Sequence, residues 1–303
     1  MTVAKRRIRS SGKDTLVEVF GTLLCVLFAL FCFLPLWVAL VASFSNESAV
    51  IRDGYGLWIN QWDLTSYKLI FDGTDTVLNA YGVTILTTVC GAALTVVLTA
   101  MLAYPITVQS LKYRNAIAFF AYATMVFSGG LVPTYIMMVR FLHLKNNLLV
   151  LIIPGALNAY NMFLLRNFFA TLPASLAESA KIDGASDILI FFKIILPLSK
   201  PILATIALFA SMGYWNEWYK VLLYIEEPQL YTLQYLIMRL QQQVDFLTSS
   251  LNPAARQALS FVSIPTVGIR LATAMISIGP IVLLYPLLQR YFIKGLLIGS
   301  VKG

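Results

Sequence analysis

The chain has 303 residues, of which 59% are hydrophobic and 12% charged, with a mean hydropathy of +0.78. A soluble domain carries roughly 25% charged residues, and a disordered chain combines low hydrophobicity with high net charge, so both classes are excluded. The net charge of +8 would suit nucleic acid, but the positions of the basic residues point elsewhere.

Apolar runs at 16–44, 78–107, 116–141, 146–169, 200–224 and 266–292 are each long enough to cross a hydrocarbon core of about 30 Å at 1.5 Å per residue. A spanning backbone must satisfy its own hydrogen bonds, which predicts six transmembrane helices and an all-α membrane protein. The alternating ten-residue strands of a closed barrel are absent. The first run is too long for a cleavable signal and lacks a small-residue cleavage site. Cys25, Cys32 and Cys90 lie inside apolar runs without metal or disulfide spacing, and His143 is the single histidine.

Basic residues orient the spans. With the arm carrying Lys5, Arg6, Arg7, Arg9 and Lys13 inside, the same side receives Lys112, Arg114, Arg166, Lys181, Lys193, Lys200, Arg290, Lys294 and Lys302. That is fourteen basic residues against eight outside. Both termini are therefore expected to be cytoplasmic. The positive charge reads as a topology signal, and no nucleic-acid partner is expected.

Two long segments fall outside, 45–77 and about 225–265. The second has Leu233, Leu236, Ile237, Leu240 and Val244 at near-helical spacing. Asn252-Pro253 reads as a helix start, and Pro265 as the break before the last span. There is no phosphate loop, no His-Glu-x-x-His, no Cys-x-x-Cys and no Gly-x-Ser-x-Gly. No carboxylate stands at the middle of any span, which argues against a self-powered carrier. A chain with six spans and neither engine nor catalytic cluster is expected to work within a complex. No catalytic and no metal-ligating residue is assigned.

The inner segment 171–201 carries the most information. Thr171 or a near neighbour is expected to cap a short helix with Pro173 in its first turn. Gly184 suits a left-handed stop. A second helix should start near Ser186 and end at Leu196-Pro197. By composition alone this could be an interfacial helix–turn–helix without a partner. Its spelling is more specific. Glu178-Ser179-Ala180, three residues, Gly184, nine residues, Ile194, one residue and Leu196-Pro197 resembles the EAA loop of ABC importer permeases, Glu-Ala-Ala-x3-Gly-x9-Ile-x-Leu-Pro. Ser179 departs from the usual alanine, small for small. Tyr214-Trp215-Asn216-Glu217-Trp218-Tyr219, Ile278-Gly279-Pro280 and the end from Tyr285 to Gly303 are similar to maltose-type carbohydrate permeases of the oligosaccharide and lipoprotein-associated subgroup. The similarity covers most of 78–303.

The resemblance implies a type I ABC importer transmembrane domain over 78–292. A cytoplasmic arm at 1–15, a first span with its outer loop at 16–77, and a cytoplasmic tail at 293–303 complete the chain. It implies that Glu178, Ser179, Ala180, Asp183, Gly184, Ile194, Leu196 and Pro197 couple to an ATPase. Trp215, Asn216, Glu217 and Trp218 are candidates for the substrate path. The tryptophans could equally anchor in the aromatic belt, and Glu217 could pair with Lys220. The implied partners are a second, homologous permease (a heterodimer rather than a homodimer), two ABC ATPase subunits, an extracellular or periplasmic solute-binding protein, membrane lipid and a sugar. ATP and magnesium belong to the ATPase subunits, and this chain is expected to bind no cofactor. The expected location is a bacterial plasma (inner) membrane. A peptide or amino-acid importer, a self-powered carrier and a membrane enzyme remain as alternatives.

Overall fold

A computed structural model describes residues 12–71, 74–250, 267–279 and 282. Outside these residues lie the arm from Lys5 to Arg9, the helix start expected at Asn252-Pro253, Pro265, Pro280 and the tail from Tyr285. The described residues are helical except for connections and one isolated antiparallel bridge between Ser45 and Trp62.

In chain order the helices are α1 (Gly12–Ser43), α2 (Glu47–Asp53), α3 (Thr65–Phe71), α4 (Thr74–Thr107), α5 (Arg114–Val126) and α6 (Leu131–Ile136), which continues as a π-helical turn, Met137–Phe141. Next come α7 (Leu149–Ile152) with a 3-10 turn, Ile153–Gly155, then α8 (Ala159–Phe169) and α9 (Ala174–Ile182). Then follow α10 (Asp187–Ile190) with a π-helical turn, Phe191–Ile195, α11 (Leu196–Leu198), α12 (Lys200–Trp215) and α13 (Tyr219–Tyr224). After a 3-10 turn, Pro228–Leu230, come α14 (Leu233–Ser250) and α15 (Val267–Gly279). The chain forms two compact units, Met1–Ile70 with Ala254–Ile276, and Phe71–Pro253 with Ser277–Gly303.

In the first unit, α1 contains a 27-residue apolar span, Val17–Ser43, that is almost entirely exposed on the chain. A helix apolar all round suits lipid or another membrane chain rather than water. The loop after it is held by side-chain caps. Asn46 Oδ1 accepts from the amides of Ser48 (3.1 Å) and Ala49 (3.4 Å) at the start of α2. Asp63 Oδ1 accepts from the Thr65 amide (2.8 Å) at the start of α3, and Asn46 Nδ2 donates to Asp63 Oδ2 (3.0 Å). Thr65 and Asn46 together hold the Asp63 carboxyl below its ordinary value. Glu47 Oε2 accepts the amides of Val267 and Gly268, both at 3.1 Å, at the N-terminus of α15.

In the second unit α4 is the central post, packed chiefly on α12 and α8. Its buried face carries Thr84, Thr87, Thr95 and Thr99 between Ala92, Ala100 and Ala103. Thr84, Thr87 and Thr95 donate to their own helix, to the carbonyls of Ala80 (2.7 Å), Val83 (2.8 Å) and Gly91 (2.8 Å). That back-bonding lets hydroxyls lie in an apolar bundle. At Gly91 a Cβ would stand 2.5 Å from the Tyr214 ring, so only glycine admits α12 so closely. The Tyr214 hydroxyl donates to Ile152 O (2.8 Å), where the 3-10 turn with Pro154 breaks the α7–α8 run.

Among the described residues two helices, Val17–Ser43 and Thr76–Thr107, are individually long and apolar enough to cross a membrane. Three bent pairs raise the number to five if each counts as one span. The 116–141 run is not one straight helix: α5 and the α6 run meet at 113°, after Ser128-Gly129-Gly130 with Gly130 at φ +81° and Pro133 just beyond. The 146–169 run bends by 48° at Gly155. The helix expected over 200–224 ends at Trp215 and resumes at Tyr219, and its first half meets the Asp187–Leu198 run at 79°. Of 266–292, residues 267–279 are helical, and most of the rest lies outside the described residues.

Candidate functional site

The 171–201 segment folds into a hook of two short helices. Thr171 does not cap α9. Its Oγ1 donates to Phe168 O (2.7 Å) and closes α8 instead. Pro173 holds the cap position of α9 rather than its first turn, at φ −60° and ψ 125°. Proline fixes φ near −65° by construction, ψ makes the residue extended, and its carbonyl accepts from the Leu176 amide (3.2 Å). At the other end Gly184 has φ +82°. The Ala185 amide donates to Ala180 O (2.9 Å) and the Gly184 amide to Lys181 O (3.0 Å). These paired bonds form a Schellman stop, with glycine where left-handed backbone is required. Ser186 then caps α10, its Oγ accepting from the Leu189 amide (3.3 Å).

One side of the hook is built into the bundle. Ile190, Phe191 and Ile195 are buried in the cluster that includes Ile106, Leu165 and Ile206. Ala177, Ala180, Ala185, Ile194 and Leu196 pack against the same cluster. The other side is open: Glu178, Ser179, Asp183, Gly184 and Pro197 are exposed, and Ile182 is 87% exposed. Lys181 Nζ pairs with Asp187 Oδ1 at 2.8 Å between the two helices. The hydrogen bond and charge of Asp187 raise the Lys181 ammonium above its ordinary value. The Leu196 amide reaches five residues back to Phe191 O, and Pro197 then supplies no amide, so the helix widens and turns at Ser199. An apolar cavity of about 450 Å³ beside the hook is lined by Tyr104, Leu111, Ile188 and Phe192.

Trp215, Asn216, Glu217 and Trp218 stand at the break between α12 and α13, and the structure separates them into two kinds. Trp215 is 4% exposed, and its Nε1 donates to Ser277 O (3.2 Å). Glu217 is partly buried and turned inward: Oε1 accepts the Lys220 amide (2.9 Å), and Oε2 forms an ion pair with Lys220 Nζ. Lys220 Nζ also lies 5.8 Å from the Tyr214 ring centre. Asn216 is exposed and Trp218 is 40% exposed, its ring edge-on to Tyr219 at 5.5 Å. Sequence reasoning missed three groups here, Tyr214, Gln234 and Ser277. Gln234 donates to Asn216 Oδ1 (3.3 Å) and to Ser277 Oγ. Its signal was available as one amide beside the apolar face of Leu233, Leu236 and Ile237.

Residues 87–298 match the family described as "Binding-protein-dependent transport system inner membrane component". Protein LplC of Bacillus subtilis (strain 168) is 39% identical over 270 residues, 89% of each chain. The polygalacturonan/rhamnogalacturonan transport system permease protein YtcP of the same organism is 37% identical over 285 residues, 94% of this chain and 97% of that one. A chain in the crystal structure of a bacterial ABC transporter involved in the import of the acidic polysaccharide alginate shares the fold, with a TM-score of 0.77 and 27% identity over 94% of this chain and 99% of that one.

Proposed function

We infer the function of this chain from its family: it belongs to the binding-protein-dependent transport system inner membrane components. It is a multi-pass permease of an ABC importer and not a catalytic subunit. Its cargo is a sugar or oligosaccharide. The carbohydrates in the names of the relatives above support that reading, as does the likeness of the 214–219 segment to carbohydrate permeases. ATP and magnesium are used by two partner ATPase subunits. A second, homologous permease completes the pathway, and a binding protein delivers the sugar from outside. Both termini are cytoplasmic in this reading. Residues 78–292 form the translocating domain, with 1–15, 16–77 and 293–303 as arm, first span with outer loop, and tail.

The observation that carries the coupling role is the hook. Its inner side is packed into the bundle core, and its outer side presents Glu178, Asp183, Gly184 and a bare Ile182. A short element that is rigid toward the spans and open toward the cytoplasm can pass a push from an ATPase to the bundle. The coupling group is Glu178, Ser179, Ala180, Asp183, Gly184, Ile194, Leu196 and Pro197. Glu178, Ser179, Asp183 and Gly184 meet the ATPase, Ala180 seats that surface on the bundle core, and the last three set the angle at which the hook joins α12. ATP must favour one transmembrane state through the partners' differential binding.

The test is reconstitution. The purified chain alone should hydrolyse no ATP, and import should require the ATPases and the binding protein. Hydrolysis by the chain alone, or import without ATP, would contradict this reading. Impermeant thiol reagents test the orientation, after Cys25, Cys32 and Cys90 are replaced. Cysteine at Asp53 or Glu226 should react from outside, and cysteine at Arg114 or Asp187 should not.

A further inference from the structure

We propose that Gln234 is a specificity-determining residue of the sugar path, and that with Asn216 and Ser277 it forms an uncharged subsite for sugar hydroxyls inside the outer half of the bundle. The inference rests on the sugar-importer reading above.

Depth comes first. Asn79, near the outer end of α4, donates to Gln229 O. Thr84 Oγ1 accepts from the Leu233 amide (2.8 Å). Thr84 stands eight residues beyond Thr76, where the span begins, or about 12 Å along the helix axis. The 229–233 segment therefore runs inward along α4, and α14 starts inside the bundle instead of lying across its mouth. Tyr231, Thr232 and Leu233 are buried there, with Thr232 Oγ1 donating to Glu217 O (2.6 Å).

Hydrogen-bonding capacity points the same way. Three elements bring polar groups together: Asn216 at the end of α12, Gln234 on α14 and Ser277 on α15. Asn216 Nδ2 donates one hydrogen to Met212 O (2.8 Å). The other amide hydrogen of Asn216, the carbonyl oxygen of Gln234 and the hydroxyl hydrogen of Ser277 have no partner among the described residues. Lipid offers nothing to such groups, so at this depth they must face the protein interior or a wet cavity. Asn216 is exposed on this chain, so the set is open on one side.

Charge comes third. The nearby Glu217 and Lys220 are closed on each other. What remains is a neutral mixture of donors and acceptors. A sugar hydroxyl both donates and accepts, which such a mixture matches. The subsite therefore reads the hydroxyl pattern, and the carboxylate of an acidic sugar finds no cation in it.

The test uses the full complex, with both permeases, the ATPases and the binding protein, in proteoliposomes. The probes are raffinose, melibiose and trigalacturonate, and the readouts are sugar imported per ATP hydrolysed and relative rates among the sugars. Gln234→Leu should lower the import-to-hydrolysis ratio about five-fold or more, the cost of one unmet polar partner, and should change the order of preference. Asn216→Ala, at the exposed end, should shift preference in the same sense and serves if Gln234→Leu assembles poorly. Unchanged ratio and preference in both variants would overturn the proposal. So would import and hydrolysis falling in equal proportion, which would make Gln234 a structural residue. A wild-type complex that imports no sugar at all would instead refute the sugar-importer reading.

Discussion

The Ala185 amide donates to the Ala180 carbonyl across 2.9 Å, and Gly184 between them holds φ at +82°. This bond fixes the direction in which the chain leaves α9 toward α10. A Cβ at Gly184 would meet nothing within 4 Å, so the site tolerates volume but not the backbone angle. A residue with a Cβ costs about 1 kcal/mol there.

Gly184→Ala should therefore lower transport partially, whereas Gly184→Arg should abolish it at normal membrane abundance. The long cation adds bulk and a charge at the face proposed above to meet the ATPase, and burying an unpaired charge is costly. Glu178→Ala should be milder than either. Transport, co-purification of the ATPase and membrane level are the measurements. Normal transport by Gly184→Arg at wild-type abundance would remove the coupling role.

Trp215 and Trp218 should separate under alanine substitution. Trp215 is buried and anchors Ser277 O through its indole, so Trp215→Ala should cost about 3–5 kcal/mol and reduce assembled complex. Trp218→Ala should leave assembly intact and lower transport. Equal effects on assembly for both would show that the exposed indole is also an anchor.

The Hook at 171–201 shows how much the sequence discloses and where it stops. The stop at Gly184, the cap at Ser186 and the amphipathic α14 were legible because each rests on local chemistry: a backbone angle, a side-chain acceptor, a spacing. The bends were not. An apolar run reports hydration and carries no information about direction, so 116–141 read as one span although it turns by 113°. Gly129-Gly130 before Pro133 was the available sign. Pro173 sits one position before the first turn that the sequence suggests, because its fixed φ near −65° suits both a cap and a first turn. Gln234 was missed for another reason: the sequence places the 225–265 segment outside the spans, and the bonds from Asn79 to Gln229 and from Leu233 to Thr84 are what tie it along α4.

Gly91→Ala should destabilise the bundle by about 1–3 kcal/mol, as overpacking does, since its Cβ would stand 2.5 Å from the Tyr214 ring. Gly91→Ala combined with Tyr214→Leu should recover part of that loss, because the smaller side chain frees the space. Thermal unfolding in detergent reads both. A double variant no more stable than Gly91→Ala would mean that Tyr214 is not the obstacle.

Asp63 gives a pH dependence with a definite sign. Its folded value is depressed, chiefly by the Thr65 hydroxyl and amide and also by Asn46. Its contribution is therefore complete above the unfolded value of about 3.9 and lost as pH falls through the lower folded value. Exchange protection of the Thr65 amide, corrected for intrinsic rates, should be flat from pH 8 to 5 and should drop only under strong acid. A loss of protection near pH 6 would contradict this assignment.

The threonines of α4 have one more consequence. From Val96 to Thr107 no hydrogen bond joins α4 to another element among the described residues, since Thr107 donates to Tyr104 O of the same helix. Farther out, α4 is tied to Gln229 by Asn79 and to Leu233 by Thr84. The post is thus fastened at one end and merely seated at the other. In the coupling role proposed above, a displacement from the hook meets a greased joint, where only dispersion contacts are exchanged, while the end of α4 tied through Asn79 and Thr84 keeps its register.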